Sequence, residues 1–289
     1  MNRLDSANES KEQQEPRNSD ETTKEFIQIS DGDDVNSSNT NFDNTYGRDS
    51  VHVDLELLKS TNALVPSDAR SKIAEEYRVI KRPIIKNAFG GGAEHIDNAN
   101  IVMVTSSLPN EGKSFNAINL AMSVVMEMDY TVMLVEADVA KPALTKYLGI
   151  PQYDKGLVDY LLQDGARLQD YLLHTDIPKL TVLPAGHNNA RYSELLSSQN
   201  MKNLAQELSH RYSDRLVIID APPLLSTNDA VTLSGYAGQV VLVIESGKTE
   251  HSVVKEAVNQ LDRDQTIGVI LNKSFGASKS VYGTYGTND

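Results

Sequence analysis

The sequence predicts an α/β fold, a mostly parallel sheet with helices on both faces. Beyond Asn100, short apolar, β-branched runs alternate with amphipathic stretches. That alternation belongs to strands buried on both faces by crossover helices. The longest apolar runs, LVIIDAPPLL and VVLVI, are of strand length, well short of the roughly 18–20 residues a membrane helix needs. No internal repeat interrupts the pattern.

Taken in order, residues 1–50 are rich in Asn, Ser, Asp, Glu and Gln with few apolar residues. Such a segment cannot bury enough surface to offset its ordering entropy and reads as a disordered acidic tail. From Val51 the composition shifts, and residues 51–95 read as a linker with one helix. The helix spans 67–85, with Ser67 or Asp68 as cap and Ile73, Tyr77 and Ile80 at i, i+4, i+7. Pro83 ends it or starts an extended piece, and the glycines at 90–92 punctuate the chain. Residues 96–275 then form the main domain. Its strands are expected at 101–105, 131–138, 180–184, 215–220, 239–244 and 266–271. Helices are expected at 114–128, with Ile118, Ala121, Val125 and Met128 on one face, and at 201–212 and 252–261. Residues 276–289 form a flexible tail rich in Gly, Ser and Tyr.

Composition excludes several classes of function. Cysteine is absent, so there is no disulfide framework, cysteine nucleophile or thiolate metal site. The six histidines show no metal-ligand spacing. The net charge of −13 argues against coating nucleic acid, where affinity comes from Lys and Arg on phosphates. Seven of those charges lie in the first fifty residues, and the remainder suits a cytosolic domain. The start of the chain is polar, without the apolar core of a signal peptide. The expectation is a cytoplasmic protein with no nucleic-acid partner.

The first strand runs into SSLPNEGKS at 106–114 and then a helix. This resembles the phosphate-binding pattern G-x-x-x-x-G-K-[S/T] in its strand–loop–helix setting, with Ser107 in place of the first glycine. The nucleotide-contacting set is then Pro109, Asn110, Glu111, Gly112, Lys113, Ser114 and Phe115. Gly112 allows close backbone approach, Lys113 reaches the β- and γ-phosphate oxygens, and Ser114 offers a hydroxyl to Mg²⁺. Asp220 ends an apolar strand as a second Mg²⁺ carboxylate. Glu136 and Asp138 leave a third strand end at i, i+2 and so on one side. One of these carboxylates suits metal binding, where Asp138 is placed, and the other suits proton abstraction. Which of the two is the base stays open. A strand-end carboxylate also serves as a turn or helix cap; three of them around one phosphate loop favour a shared site for ATP and Mg²⁺.

These motifs together resemble the bacterial tyrosine kinases of polysaccharide export, which use a P-loop NTPase-type fold. The loop matches the family's S-x-x-P-x-E-G-K-S from Ser106 to Ser114. The family's D-A-D-L-R-K-P is matched at Asp138, Lys141 and Pro142, with Glu136 and Ala140 as departures, and its second carboxylate motif is matched from Asp220 to Pro222. The stretch 184–208 is also similar to the family. The family's oligomer-contact helix, E-x-x-R-x-x-R, is matched by Glu75, Arg78 and Lys81, and the wording EEYRVIKRP is most similar to the exosortase-associated tyrosine autokinases. The resemblance covers residues 70–289. It implies an ATP-dependent autokinase that phosphorylates its own C-terminal Tyr282 and Tyr285 and regulates exopolysaccharide assembly. It also implies a homo-oligomer, a membrane-spanning chain-length or co-polymerase partner that recruits the chain to the inner face of the membrane, and a tyrosine phosphatase that resets it. Asn272, at the end of the last strand, faces the base in related P-loop proteins; a strand-terminating turn is an equal reading.

The alternative is a nucleotide-switch ATPase of the partition or division-site type. Those proteins carry an additional lysine five residues before the loop lysine, where this chain has Leu108. Membrane-bound examples end in an amphipathic helix, which a Gly-Ser-Tyr tail cannot form. A catalytically inactive interaction module is a third reading, motivated by Glu136 and Ala140.

Overall fold

In the computed structural model, residues 50–90, 96–211 and 214–274 are described. The proposed acidic tail and both tail tyrosines, Tyr282 and Tyr285, lie outside the described residues. Among the described residues seven strands form one sheet: β1 (Ile101–Ser106), β2 (Thr131–Glu136), β3 (Leu173–His174), β4 (Leu180–Leu183), β5 (Arg215–Asp220), β6 (Gln239–Glu245) and β7 (Thr266–Asn272). Their order is β3-β4-β2-β5-β1-β6-β7. Every pairing is parallel except β3 with β4. The interior strand β1 is buried throughout, which accounts for its apolar start, Ile101 to Val104. β5 and β6 flank it, and the register sets Val104 beside Asp220. Loops leaving the carboxyl ends of these three strands therefore meet at one edge.

The helices are α1 (Leu55–Ser60), α2 (Lys72–Phe89), α3 (Lys113–Val125), α4 (Leu144–Tyr147), α5 (Leu157–Leu162), α6 (Tyr192–Leu196), α7 (Gln199–His210), α8 (Asn228–Ser234) and α9 (His251–Val258). Two hydrophobic clusters lie on opposite faces of the sheet. One holds Met103, Met133, Val217 and Leu242 with the residues of α5 to α8; the other holds Val102, Val104, Leu134 and Val243 with α3.

Several expectations are corrected. The α2 helix starts later and runs further than its sequence pattern suggested. Ser71, not Ser67 or Asp68, caps it by accepting the Ala74 N–H, and Pro83 lies inside it. Proline removes one helix bond and crowds the preceding turn. Here Val79 and Pro83 both face solvent, so water can satisfy the freed carbonyl while the inner face stays packed. The α3 helix stops at Val125, leaving Met128 88% exposed rather than on a buried face. Residues 51–90 do more than link. Val53, Leu58, Leu64, Val65, Ala74, Tyr77 and Ile84 join the same cluster as α3.

Lys81 departs from the expected common face with Glu75 and Arg78. Those two pair with each other on the solvent side. Lys81 is 4% exposed, donates to the Ser123 carbonyl at 2.6 Å and pairs with Glu127 at 2.6 Å. A turn of 3.6 residues carries the sixth residue onward well off the starting face, so Lys81 holds α2 against α3 and is not available as an outward contact.

Candidate active site

The loop between β1 and α3 is shaped by its own residues before any ligand is considered. Asn110 and Gly112 have positive φ, 67° and 101°. The φ of Gly112 favours glycine, and a Cβ there would also stand 2.1 Å from the Asn272 side-chain nitrogen. Gly112 precedes α3 directly and leaves the first N–H groups of a thirteen-residue helix facing the loop. Pro109 and Asn110 are exposed at the loop tip, while Phe115 turns its ring into the α3 cluster. Ser107, at the motif's first glycine position, has a buried hydroxyl with no hydrogen-bond partner among the described residues.

Glu111 was expected among the nucleotide contacts, but its side chain points inward. It is 2% exposed. Its carboxylate accepts the Leu108 N–H at 2.7 Å, the Glu245 N–H at 3.3 Å and the Thr249 hydroxyl. It braces the loop and leaves only its backbone for a phosphate. Asn272 also lies on the loop, donating to the Glu111 carbonyl at 2.8 Å. Its neighbour Lys273 donates to the Asn110 carbonyl at 2.7 Å and pairs with Glu245 at 3.1 Å. Strand β7 therefore fastens the loop from outside.

Lys113 lies at the centre of the charged groups. Its Nζ is 2.8 Å from Asp138 and 3.3 Å from Asp220, and it donates to the Ser114 hydroxyl at 3.3 Å. Burial opposes its charge, yet Asp220 and Asp138 outweigh that and hold its pKa above the ordinary lysine value. Asp220 has no solvent exposure. Burial pushes its pKa up to about 6 even with Lys113 beside it. One Asp220 oxygen is buried without a hydrogen-bond partner among the described residues. That oxygen and the Ser114 hydroxyl suit Mg²⁺, which takes one or two protein oxygens and draws the rest from phosphate and water. Such a site needs no all-protein cage, and no cluster of three or more His, Cys, Asp or Glu fit to hold a metal occurs among the described residues.

Glu136 is not part of this group. It is 1% exposed, and its oxygens accept the Leu144 N–H at 2.6 Å and the Ala185 N–H at 3.4 Å. Burial raises its pKa, with backbone N–H groups at 143–145 and 185 pulling the other way. The i, i+2 spacing held in sequence, but the chain leaves the β-conformation after Glu136, so alternation no longer decides where Asp138 points.

Some supporting residues had no strong sequence signal. Tyr192 donates to the carbonyl of Ala137, between the two acids, at 2.8 Å. Asn116 holds the Gly112 carbonyl at 2.8 Å; the clue in the sequence is a set of buried polar residues, Asn116, Asn119 and Ser123, in a helix otherwise apolar beyond its first turn.

A family model described as "AAA domain" matches residues 101–269. "Tyrosine-protein kinase YwqD" of Bacillus subtilis is 34% identical over 230 residues, spanning 79% of this chain and 92% of that protein. The "Succinoglycan biosynthesis transport protein ExoP" of Rhizobium meliloti is 29% identical over 216 residues, 73% of this chain but 26% of that protein. Among solved structures, the VpsO kinase domain aligns with a TM-score of 0.58 at 31% identity, covering 71% of this chain and all of that one.

Proposed function

The chain belongs to the bacterial tyrosine-protein kinases, and from that premise we propose that it transfers the γ-phosphoryl group of ATP to tyrosines of its own C-terminal tail, Tyr282 and Tyr285. The observation that carries the mechanism is the convergence of Lys113, Asp138 and Asp220 behind the phosphate loop. Lys113 is held by two carboxylates until phosphate oxygens compete for it. As it turns to the β- and γ-oxygens, Asp138 loses its counter-ion and frees Oδ2, while Oδ1 keeps the Lys141 N–H at 3.1 Å. Asp138 then accepts the phenolic proton while the tyrosine oxygen bonds to the γ-phosphorus. The bond to the β–γ bridging oxygen breaks, and ADP leaves. Ser114 and Asp220 would hold Mg²⁺, which supplies charge neutralisation at the phosphates when bound. The first N–H groups of α3 stabilise the charge spread over the transferring group. Asn272 donates to the loop through Nδ2, and we propose that its remaining amide donor and acceptor meet the adenine edge.

We assign residues 96–275 as the kinase domain and 51–95 as its N-terminal extension, of which residues within 51–89 pack against α3. Glu75 and Arg78, on the outward face of α2, are the proposed contacts between subunits. No described helix is long and apolar enough to cross a membrane. A relative named for succinoglycan biosynthesis transport supports a role in exopolysaccharide synthesis. In that role the chain would act at the inner membrane face through a membrane-spanning co-polymerase, opposed by a tyrosine phosphatase. The test is phosphate mapping by mass spectrometry after incubation with Mg-ATP. A Lys113→Met chain mixed with a chain lacking residues 276–289 should gain phosphate on Tyr282 or Tyr285 if transfer runs between subunits. Absence of phosphotyrosine in the wild type under the same conditions overturns the kinase reading.

A further inference from the structure

Helix α3 is buried on nearly all sides, yet Asn116, Asn119 and Ser123 form a polar line along it at i, i+3, i+7. The segment ahead of the domain engages all three. The Tyr77 hydroxyl donates to Asn116 Oδ1 at 2.7 Å, the Leu64 N–H to Asn119 Oδ1 at 2.6 Å, and Lys81 to the Ser123 carbonyl at 2.6 Å. Only the first contact continues into the phosphate loop, because Asn116 Nδ2 donates to the Gly112 carbonyl at 2.8 Å. That carbonyl also accepts Asn116's own N–H at 3.0 Å, the first bond of the helix.

The direction of this relay is fixed. A carbonyl only accepts, so the NH₂ of Asn116 must face Gly112 and its oxygen must face Tyr77, whose hydroxyl must then donate. Asn116 and Tyr77 are 1% and 4% exposed, leaving little access for water to replace either group. Gly112 precedes Lys113, so the set of its peptide decides how the loop's N–H groups and the lysine meet a phosphate. We propose that Tyr77 is a positioning residue for the phosphate loop. It acts through the Asn116 amide on the Gly112 carbonyl, so that the helix ahead of the domain sets the loop's affinity for nucleotide. The inference rests on the nucleotide-binding reading above and adds a determinant of affinity outside the loop.

Removing the hydroxyl leaves Asn116 Oδ1 without a donor and the amide without a fixed orientation. The flipped amide would set two oxygens against each other at Gly112. One lost buried hydrogen bond corresponds to roughly three- to tenfold in binding. The experiment titrates the full chain with a fluorescent ADP analogue. Tyr77→Phe should weaken binding by about that factor. Tyr236→Phe, which loses a comparable hydroxyl bond to the Leu196 carbonyl, should stay within about twofold of wild type. In an Asn116→Ala background, Tyr77→Phe should have no further effect. Unchanged affinity in a folded Tyr77→Phe chain overturns the inference, as does equal weakening by Tyr236→Phe or an undiminished effect in the Asn116→Ala background. If Asn116→Ala does not fold, the two tyrosine variants decide alone. Wild type that binds no analogue removes the functional reading and the inference together; wild type that binds, with Tyr77→Phe unaltered, removes the inference only.

Discussion

Glu136 and Asp138 stand two residues apart, both almost wholly buried, and differ in one partner. Glu136 is met by backbone N–H groups of Leu144 and Ala185. Asp138 takes one backbone N–H, from Lys141 at 3.1 Å on Oδ1, but its Oδ2 is met by the Lys113 ammonium at 2.8 Å. Backbone dipoles are fixed in the fold, so a charge they satisfy stays where it is and serves the structure. A lysine on a flexible stem can be drawn away by a competing anion, which leaves its carboxylate reactive. The partner of a buried carboxylate, more than its place in a motif, decides whether it can do chemistry.

The largest break in this comparison comes from removing the cation. Lys113→Met should abolish tail phosphorylation, measured by anti-phosphotyrosine blot and mass spectrometry, while circular dichroism shows an intact fold. A folded Lys113→Met chain that still phosphorylates its tail would remove Lys113 from the chemistry and with it the lysine-release step. Next in size is Asp138→Asn. A positioned general base contributes about 10²- to 10⁴-fold, so kcat should fall by at least about 100-fold with nucleotide affinity retained. A fall of only a few-fold would return Asp138 to the role of lysine anchor.

Much of this was legible in the sequence. The parallel sheet followed from apolar strand runs, and SSLPNEGKS announced its loop because spacing and strand context together are restrictive. What escaped notice depended on three-dimensional partners. Nothing local says that the Glu111 carboxylate turns inward to Thr249, 138 positions away, or that Lys81 finds Glu127. Pro83 reads as a helix end by propensity, yet tertiary packing of Tyr77, Lys81 and Ile84 on α3 carries the helix past it. Short helices such as α4 and α6 present too few turns for periodicity to declare them.

A third effect, of about one order of magnitude, follows from Asp220. Its pKa is raised from the ordinary 3.8 to about 6, chiefly by burial. The folded chain therefore binds this proton more readily than the unfolded one. The stabilisation from the protonated form is present below pH 3.8 and is lost as pH rises through about 6. Mg²⁺ needs the ionised form, so Mg²⁺-dependent nucleotide affinity should run the other way, weakening about tenfold between pH 7 and pH 5. Asp220→Asn should flatten that dependence in a titration at the two pH values. A wild-type affinity that does not change with pH would mean that Asp220 does not meet the metal.

The smallest expected effect is the sharpest test of the comparison. Glu136→Gln keeps an oxygen for the Leu144 N–H and removes the buried charge. It sets an NH₂ near the Ala185 N–H, a contact already long at 3.4 Å. Burial already raises the pKa of Glu136, so the fold tolerates a neutral group there better than an ionised one. Loss of the weaker bond and relief of the charge oppose each other, and the melting temperature should move by no more than a few degrees, as for about 1 kcal/mol. Tail phosphorylation should stay within about threefold of wild type, since no reacting atom is assigned to this carboxylate. Glu136→Ala is the companion measurement. It orphans two buried N–H groups, at about 1–3 kcal/mol each, and should lower the melting temperature clearly while the folded fraction keeps its activity. If Glu136→Gln instead abolishes transfer with nucleotide affinity and fold intact, Glu136 is the proton acceptor. Its backbone amides would then have to be released in the active complex, and the contrast with Asp138 would be reversed.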